Sequence, residues 1–283
     1  MNYYDKIQKS IDYIEQHLKD NLSTCSIAEQ AFFSVTHFYR IFQAMVGDPV
    51  KEYIRKRRLS QTAIELLTSD IRIIELAIDY GFESQEVFTR AFSKQFGITP
   101  GRYRRQKEKI VLYEKVNVEK KAQMKLNSVS FFVPRIILNK TFHVVGLKQI
   151  VNPGSDSIGT LWAAFHVRRS EIECPSSTDA WIGLCEYMPD ITDESDFTYT
   201  ACIEVYDFNN IPNGMTIKTV QCSKYAVFTH RGSLNDLKKT YNYIYGVWLP
   251  ESGHELAELD TMEYYDYRAS GSDSEFDIYI PVK

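Results

Sequence analysis

At 283 residues, 44% of them hydrophobic, the chain has room for two ordinary domains, each with its own core. The formal net charge of -4 speaks against nucleic acid only as an average: residues 1–110 hold 17 Lys and Arg against 14 Asp and Glu, leaving 16 against 23, so the two parts carry +3 and -7. Five cysteines without a CxxC pair suggest neither a disulfide framework nor a zinc site, and with no apolar N-terminal segment or long uncharged apolar run, a cytoplasmic protein without a membrane span is expected.

Tyr4 to Leu18 sets Ile7, Ile11, Ile14 and Leu18 at helical spacing, an amphipathic opening helix. Ser26-Ile27-Ala28-Glu29 has the form of a capping box, which places a helix start at Ser26. Six residues then recur fifty positions on: Phe32 and Phe82, Ser34 and Ser84, Phe38 and Phe88, Arg40 and Arg90, Phe42 and Phe92, Gly47 and Gly97. In each copy the serine stands where a helix starts, phenylalanines four apart share its inner face, and the glycine lies just past its end. A shorter helical stretch precedes each, Ser26 to Phe32 and Ile73 to Tyr80, with tight turns at Ala31 to Ser34 and Gly81 to Ser84. That is the plan of a helix-turn-helix, present twice.

The first copy, Ser34 to Met45, turns Phe38, Ile41, Phe42 and Met45 inward and leaves Thr36, Tyr39, Arg40 and Gln43 outside; the second turns Phe88, Phe92 and Phe96 inward and leaves Gln85, Glu86, Thr89 and Arg90 outside. An Arg fork suits guanine O6 and N7 and a Thr methyl can touch thymine, so both faces suit a major groove; simple hydration is the other reading. Between the copies, Asp48-Pro49 opens a long helix running to about Leu67, whose Lys51, Arg55, Lys56, Arg57 and Arg58 suit phosphates or a solvated face. Thr99-Pro100 caps a last short helix bearing Arg102, Arg104 and Arg105. A rigid long helix would set the two recognition helices roughly 34 Å apart, in successive major-groove segments.

Residues 1–107 thus read as an all-α domain, 108–126 as a charged linker, and 127–283 as an α+β domain. Strand patterns cover Phe142 to Leu147, Ala180 to Cys185, Thr198 to Val205, Thr216 to Val220, Tyr225 to Thr229, Glu263 to Tyr267 and Phe276 to Ile280. One helix starts near Ile158 with Leu161, Trp162 and Phe165 on one side; another follows Ser233 and carries Leu237, Tyr241, Ile244 and Trp248. The order suggests a doubled strand, helix, hairpin unit: an antiparallel sheet with two helices on one side. In Met262-Glu-Tyr-Tyr-Asp-Tyr267, period two puts Glu263, Tyr265 and Tyr267 on one face; a carboxylate among aromatics can hold a cation, and an ordinary outward glutamate is the alternative.

Residues 20–107 resemble the DNA-binding domain of AraC/XylS-type transcription regulators through Leu76-Ala77, Gly81-Phe82-Glu83-Ser84, Phe88-Thr89-Arg90-Ala91-Phe92-Ser93-Lys94, Gly97-Ile-Thr-Pro100 and Tyr103-Arg104. The resemblance implies two helix-turn-helix units on a long helix, reading double-stranded DNA. Glu86 departs from the amide that some relatives carry near this position, so the target sequence does not transfer; an acid there can accept from cytosine N4. Residues 127–283 resemble the GyrI-like effector-binding domains through Val145-Gly146-Leu147, Tyr225 to Gly232, Tyr241 to Pro250, Glu263-Tyr-Tyr265 and Ile278 to Pro281. This implies a small-molecule effector, a lipophilic cation or drug, held by Glu263 in an aromatic cavity, with Tyr265, Trp248, Trp181, Tyr187 and Tyr199 as candidate walls. Two alternatives stand beside the sensor: a small-molecule hydrolase using the same glutamate, and a ligand-free module that binds a protein such as RNA polymerase or a topoisomerase. No catalytic triad, metal cluster, Walker loop or GxGxxG is seen, so no catalytic residue, metal or cofactor is assigned.

Overall fold

A computed structural model describes residues 2–126, 133–151, 156–188, 196–271 and 274–283, with side chains to residue 123 in the first stretch, and divides the chain into two compact units, Met1–Leu126 and Asn127–Lys283. None of the described helices is long and apolar enough to cross a membrane.

The first unit is helical: α1 Tyr3–Gln16, α2 Thr24–Gln30, α3 Val35–Val46, α4 Val50–Thr68, α5 Ile73–Asp79, α6 Gln85–Phe96, α7 Pro100–Gln106 and α8 Val118–Leu126. Its core takes the predicted apolar stripes, with Ile7, Ile11, Ile14, Phe38, Phe42, Phe88 and Phe92 fully buried. Two helix starts differ from expectation. Ser23, not Ser26, caps α2: its Oγ accepts from the Ser26 amide at 3.0 Å, and the Ser26 hydroxyl donates back to the Ser23 carbonyl. At α4, Pro49 is the capping residue, and Asp48 instead accepts from Lys56 (2.7 Å) and the Tyr113 hydroxyl (2.9 Å).

Ser34 and Ser84 cap α3 and α6, and Gly47 (φ 90°) and Gly97 (φ 74°) close them in the left-handed region. The turns between the paired helices, however, span residues 31–34 in one copy and 80–84 in the other. The repeat therefore shifts by one residue there. Phe33 and Phe82 are the equivalent pair, their amides donating to the carbonyls of Ala28 and Ala77, while Phe32 (φ 56°) holds the left-handed corner that Gly81 (φ 71°) holds in the second copy. The fifty-residue match of Phe32 with Phe82 thus pairs a corner residue, 67% exposed, with the residue following the other corner. Because L-residues pay about 1–2 kcal/mol in that region and glycine does not, Phe32→Gly should be tolerated, raising stability to urea by up to about 1 kcal/mol. Gly81→Ala should lower it, since a Cβ there would stand 2.7 Å from Arg58 Nη1. Urea titrations followed by circular dichroism check both signs.

The basic run on α4 is largely committed to the fold. Arg57 pairs with Glu15 on α1, Lys56 with Asp48 and Arg55 with Glu52, while Arg58 donates to the carbonyls of Leu18 and Asp20. The expected linker, 108–126, also belongs to this unit. Tyr113 donates its amide to Ser60 and its hydroxyl to Asp48, its carbonyl accepts from Arg57, and Val118 is buried with its amide on Gln8. A few inward groups among many charges bind this segment, too few to give a periodic pattern.

The second unit contains β1 Arg135–Val151, α9 Ser157–Arg168, β2 Trp181–Cys185, β3 Phe197–Glu204, β4 Thr216–Arg231, α10 Leu237–Tyr243 continuing through a π-helical turn Ile244–Trp248, β5 Thr261–Tyr265 and β6 Glu275–Pro281. This is the doubled strand, helix, hairpin order. All pairings are antiparallel, and the order β1-β3-β2-β5-β6-β4 closes because β4 also pairs with β1. The two segments expected at 216–220 and 225–229 are one strand, since Cys222 and Lys224 between them pair with Lys140 and Leu138. Side chains alternate between two cores. Phe142, Val144, Leu184, Cys202, Tyr225 and Met262 fill one face, whereas Val145, Tyr199, Ala201 and Ile203 form the other with Leu161 and Phe165 of α9.

Candidate functional site

In the second helix-turn-helix, α6 presents Glu86 and Arg90 exposed and Gln85 and Thr89 half-buried. The Ser84 hydroxyl, with the helix-start amide of Glu86 itself, holds the Glu86 carboxyl below the usual glutamate range, so this acid serves the helix start as well as the surface. The first copy differs. Ten of the twelve residues of α3 are buried, Thr36 and Tyr39 among them, and Arg40 and Gln43 are half-buried. The outward face expected for Thr36 and Tyr39 is therefore not open: a helix apolar around most of its circumference is covered on most sides, whereas α6 alternates polar residues through QEVFTRAFSKQF. Of the phosphate candidates on α4, Lys51 is exposed and Arg55 is paired with Glu52.

In the second unit Glu263 is 8% exposed, on β5. Its Oε2 accepts from the Tyr265 hydroxyl at 2.7 Å and the Tyr199 hydroxyl at 3.4 Å, and its Oε1 from the Tyr241 hydroxyl at 2.9 Å. The Trp162 indole on α9 donates to the Tyr199 oxygen at 3.2 Å, and Trp162 meets the Tyr265 ring edge-on at 5.7 Å. The tyrosines come from β3, β5 and α10, so both helices meet the sheet on the Glu263 face. Gly183, opposite Glu263 in the β2–β5 register, makes the room: a Cβ there would overlap the Tyr199 hydroxyl.

Burial raises the Glu263 carboxyl above the ordinary glutamate range, against the pull of the three tyrosine hydroxyls in the other direction. Burial and then the Glu263 charge push all three tyrosines up, so they stay neutral donors. Among the described residues no Lys, Arg or His forms an ion pair with Glu263. A buried carboxylate with no ion-pair partner among the described residues, favoured by charge only through the more distant His230 and ringed by aromatic edges, is an anion with room in its chemistry for a positive partner.

Of the sequence candidates, Tyr199 and Tyr265 touch Glu263. Trp181 stands beside Tyr265 in the β2–β5 register, on the same face. Tyr187 follows β2, its amide on Asp260 Oδ1 at 2.8 Å. Trp248 packs instead on Phe228 and His254, at 4.9 and 5.8 Å. Sequence reasoning missed Tyr241 and Trp162, which it placed in core stripes, and Gly183, whose position inside the apolar strand WIGLC is the sign of a close approach that could have been used.

Two helix-turn-helix motifs in one unit and a closed antiparallel sheet with a buried anionic site in the other define a DNA-binding module joined to a small-molecule-binding module. A family model described as a GyrI-like small molecule binding domain matches residues 133–283, and one described as a helix-turn-helix domain matches residues 27–106. The chain belongs to the GyrI-like family, with an AraC-type helix-turn-helix domain ahead of that domain. It is 50% identical over 103 residues to the uncharacterized HTH-type transcriptional regulator YbfP of Bacillus subtilis, covering 36% of this chain and 35% of that one. It is 34% identical over 151 residues to the transcriptional regulator BrlR of Pseudomonas aeruginosa, covering 52% and 54%. With the right origin-binding protein of Escherichia coli K12 it shares 26% identity over 253 residues, covering 86% and 84%. The chain thus spans about a third and about half of the lengths of YbfP and BrlR.

Proposed function

We propose that this chain is a sequence-specific DNA-binding transcription regulator that senses a lipophilic cation through Glu263. The DNA arm is supported by the duplicated helix-turn-helix and by the likeness to YbfP and BrlR, which are themselves called transcriptional regulators. The sensor arm is carried by one observation, the buried Glu263 carboxylate held by three tyrosine hydroxyls with no cationic side chain paired to it among the described residues. A permanent cation would supply the missing charge, and the rings of Trp162, Tyr199 and Tyr265 would supply apolar and cation–π contact.

Fluorescence polarisation of rhodamine 6G, a permanent aryl cation, titrated with the full chain tests the sensor reading. Saturable binding that a neutral aryl analogue does not compete away supports it, and no binding of any cation in a panel of such dyes sinks it. For DNA, a duplex is first selected by the wild-type chain from a random pool. Arg90→Ala should then bind the selected duplex more weakly by about 1–3 kcal/mol and a scrambled duplex almost unchanged. Equal losses on both duplexes would remove base reading from Arg90.

A further inference from the structure

The Glu263 face has a second, oppositely charged pole. Tyr265, Trp162, His166 and Trp181 form a chain of rings with successive centroids 5.7, 5.6 and 5.6 Å apart, and the Arg169 guanidinium lies over the Trp181 ring at 5.2 Å. Trp181 Nε1 is buried and finds no acceptor among the described residues, a hydrogen-bond donor removed from water without compensation there. Arg169 makes no ion pair among the described residues: the nearby Glu171 is taken by Arg168. Partial burial, and after it the positive charge of Arg169, hold His166 below the usual histidine range. The Glu263 face therefore holds, among the described residues, a carboxylate without an ion-pair partner on β5 and, on the neighbouring strand β2, an indole N–H without an acceptor, with the exposed Arg169 guanidinium over its ring.

We infer that the ligand is bipolar, an aromatic molecule with a cationic group for Glu263 and a carboxylate or similar acceptor for Trp181 Nε1 and Arg169. A simple lipophilic cation satisfies only one of these poles. It also leaves Arg169 to repel any positive charge spread toward it. A carboxylate there would accept a hydrogen bond from the indole N–H, one that water does not provide at the buried nitrogen, and pair with the exposed guanidinium. The inference rests on the sensor reading above and narrows the ligand class.

Rhodamine B and its ethyl ester test it, because they share one xanthene cation and differ in whether the pendant carboxyl is free. Polarisation titrations of the full chain at neutral pH should give roughly tenfold tighter binding of rhodamine B, the scale of one charge-assisted hydrogen bond. Trp181→Phe, which keeps the ring and removes the N–H, and Arg169→Gln should each erase most of that preference, read as the ratio of the two dyes' affinities within the same variant. Retained ester binding shows that both variants are folded. Equal affinities for the two dyes in the wild type, or a preference that survives both substitutions, overturns the bipolar ligand. If the ester binds and Glu263→Gln abolishes it while no carboxylate preference appears, the sensor reading stands and this inference falls. If neither dye binds, both fall.

Discussion

Glu15→Ala should cost the helical unit about 3–5 kcal/mol of folding stability, more than any other single change to its charged residues. The Arg57 guanidinium grips Glu15 with two parallel bonds, Nε to Oε1 at 2.8 Å and Nη2 to Oε2 at 2.7 Å, and the Tyr53 hydroxyl adds a third at 3.0 Å. Both side chains are nearly closed off, 8% and 13% exposed, and Arg57 also donates to the Tyr113 carbonyl. Burial alone would lower the Arg57 pKa, but Glu15 more than offsets it and the guanidinium titrates above its ordinary value. Removing the carboxylate leaves that cation buried without a counter-charge, and this penalty dominates. Arg55, two positions earlier, provides the control: its bond to Glu52 is a helix-surface pair with both partners about a third exposed, so Arg55→Ala should cost no more than about 0.5 kcal/mol. Urea unfolding at 222 nm separates the two. Similar small losses for both would mean that the Arg57 pair contributes no more than a surface pair. Replacing Glu15 and Arg57 together by Leu and Met should recover most of the loss, because no charge is then stranded.

That contrast shows what sequence carries and what it does not. The apolar periodicities of α1, α3 and α6 and the cap serines Ser34 and Ser84 are local, so they were legible in order and type. The alternation of β2, β3, β5 and β6 was legible for the same reason. The fate of a charged side chain is not local. Lys51 and Arg57 look alike in KEYIRKRRL, yet one is exposed and the other clamps α1, because only the folded chain brings Glu15 beneath the second and not the first. The same limit governs the candidate site. Glu263 and Tyr265, two apart on one strand, were readable as a pair; Tyr199, 64 residues away, entered through resemblance, and Tyr241 on a helix was indistinguishable from a core aromatic. The one-residue difference between the two turns was likewise hidden, since Phe32 and Phe82 match by letter while Gly81 takes the corner.

Glu263→Gln should weaken binding of rhodamine 6G by about a hundredfold, on the order of 3 kcal/mol, while leaving the fold intact. Glutamine keeps the shape and can still accept through its carbonyl oxygen, so the loss isolates the charge. The acidity of the group gives an independent signature. In the folded unit burial places the Glu263 pKa above the ordinary glutamate value, so in the window between the two the folded chain holds a proton that the unfolded chain has released. Folding stability attributable to this group is therefore fully present below the ordinary glutamate range and declines as pH rises through the raised value. The difference in melting temperature between wild type and Glu263→Gln should shift against the wild type across that window. Cation binding runs the other way. A cation requires the ionised carboxylate, so affinity should be weakest at acid pH, rise through the same window, and level off above it, and binding below the plateau should release a proton. The Gln variant should show neither trend. A dye affinity that is flat with pH in the wild type, or one that rises with pH equally in both proteins, would place the charge that senses the cation somewhere other than Glu263.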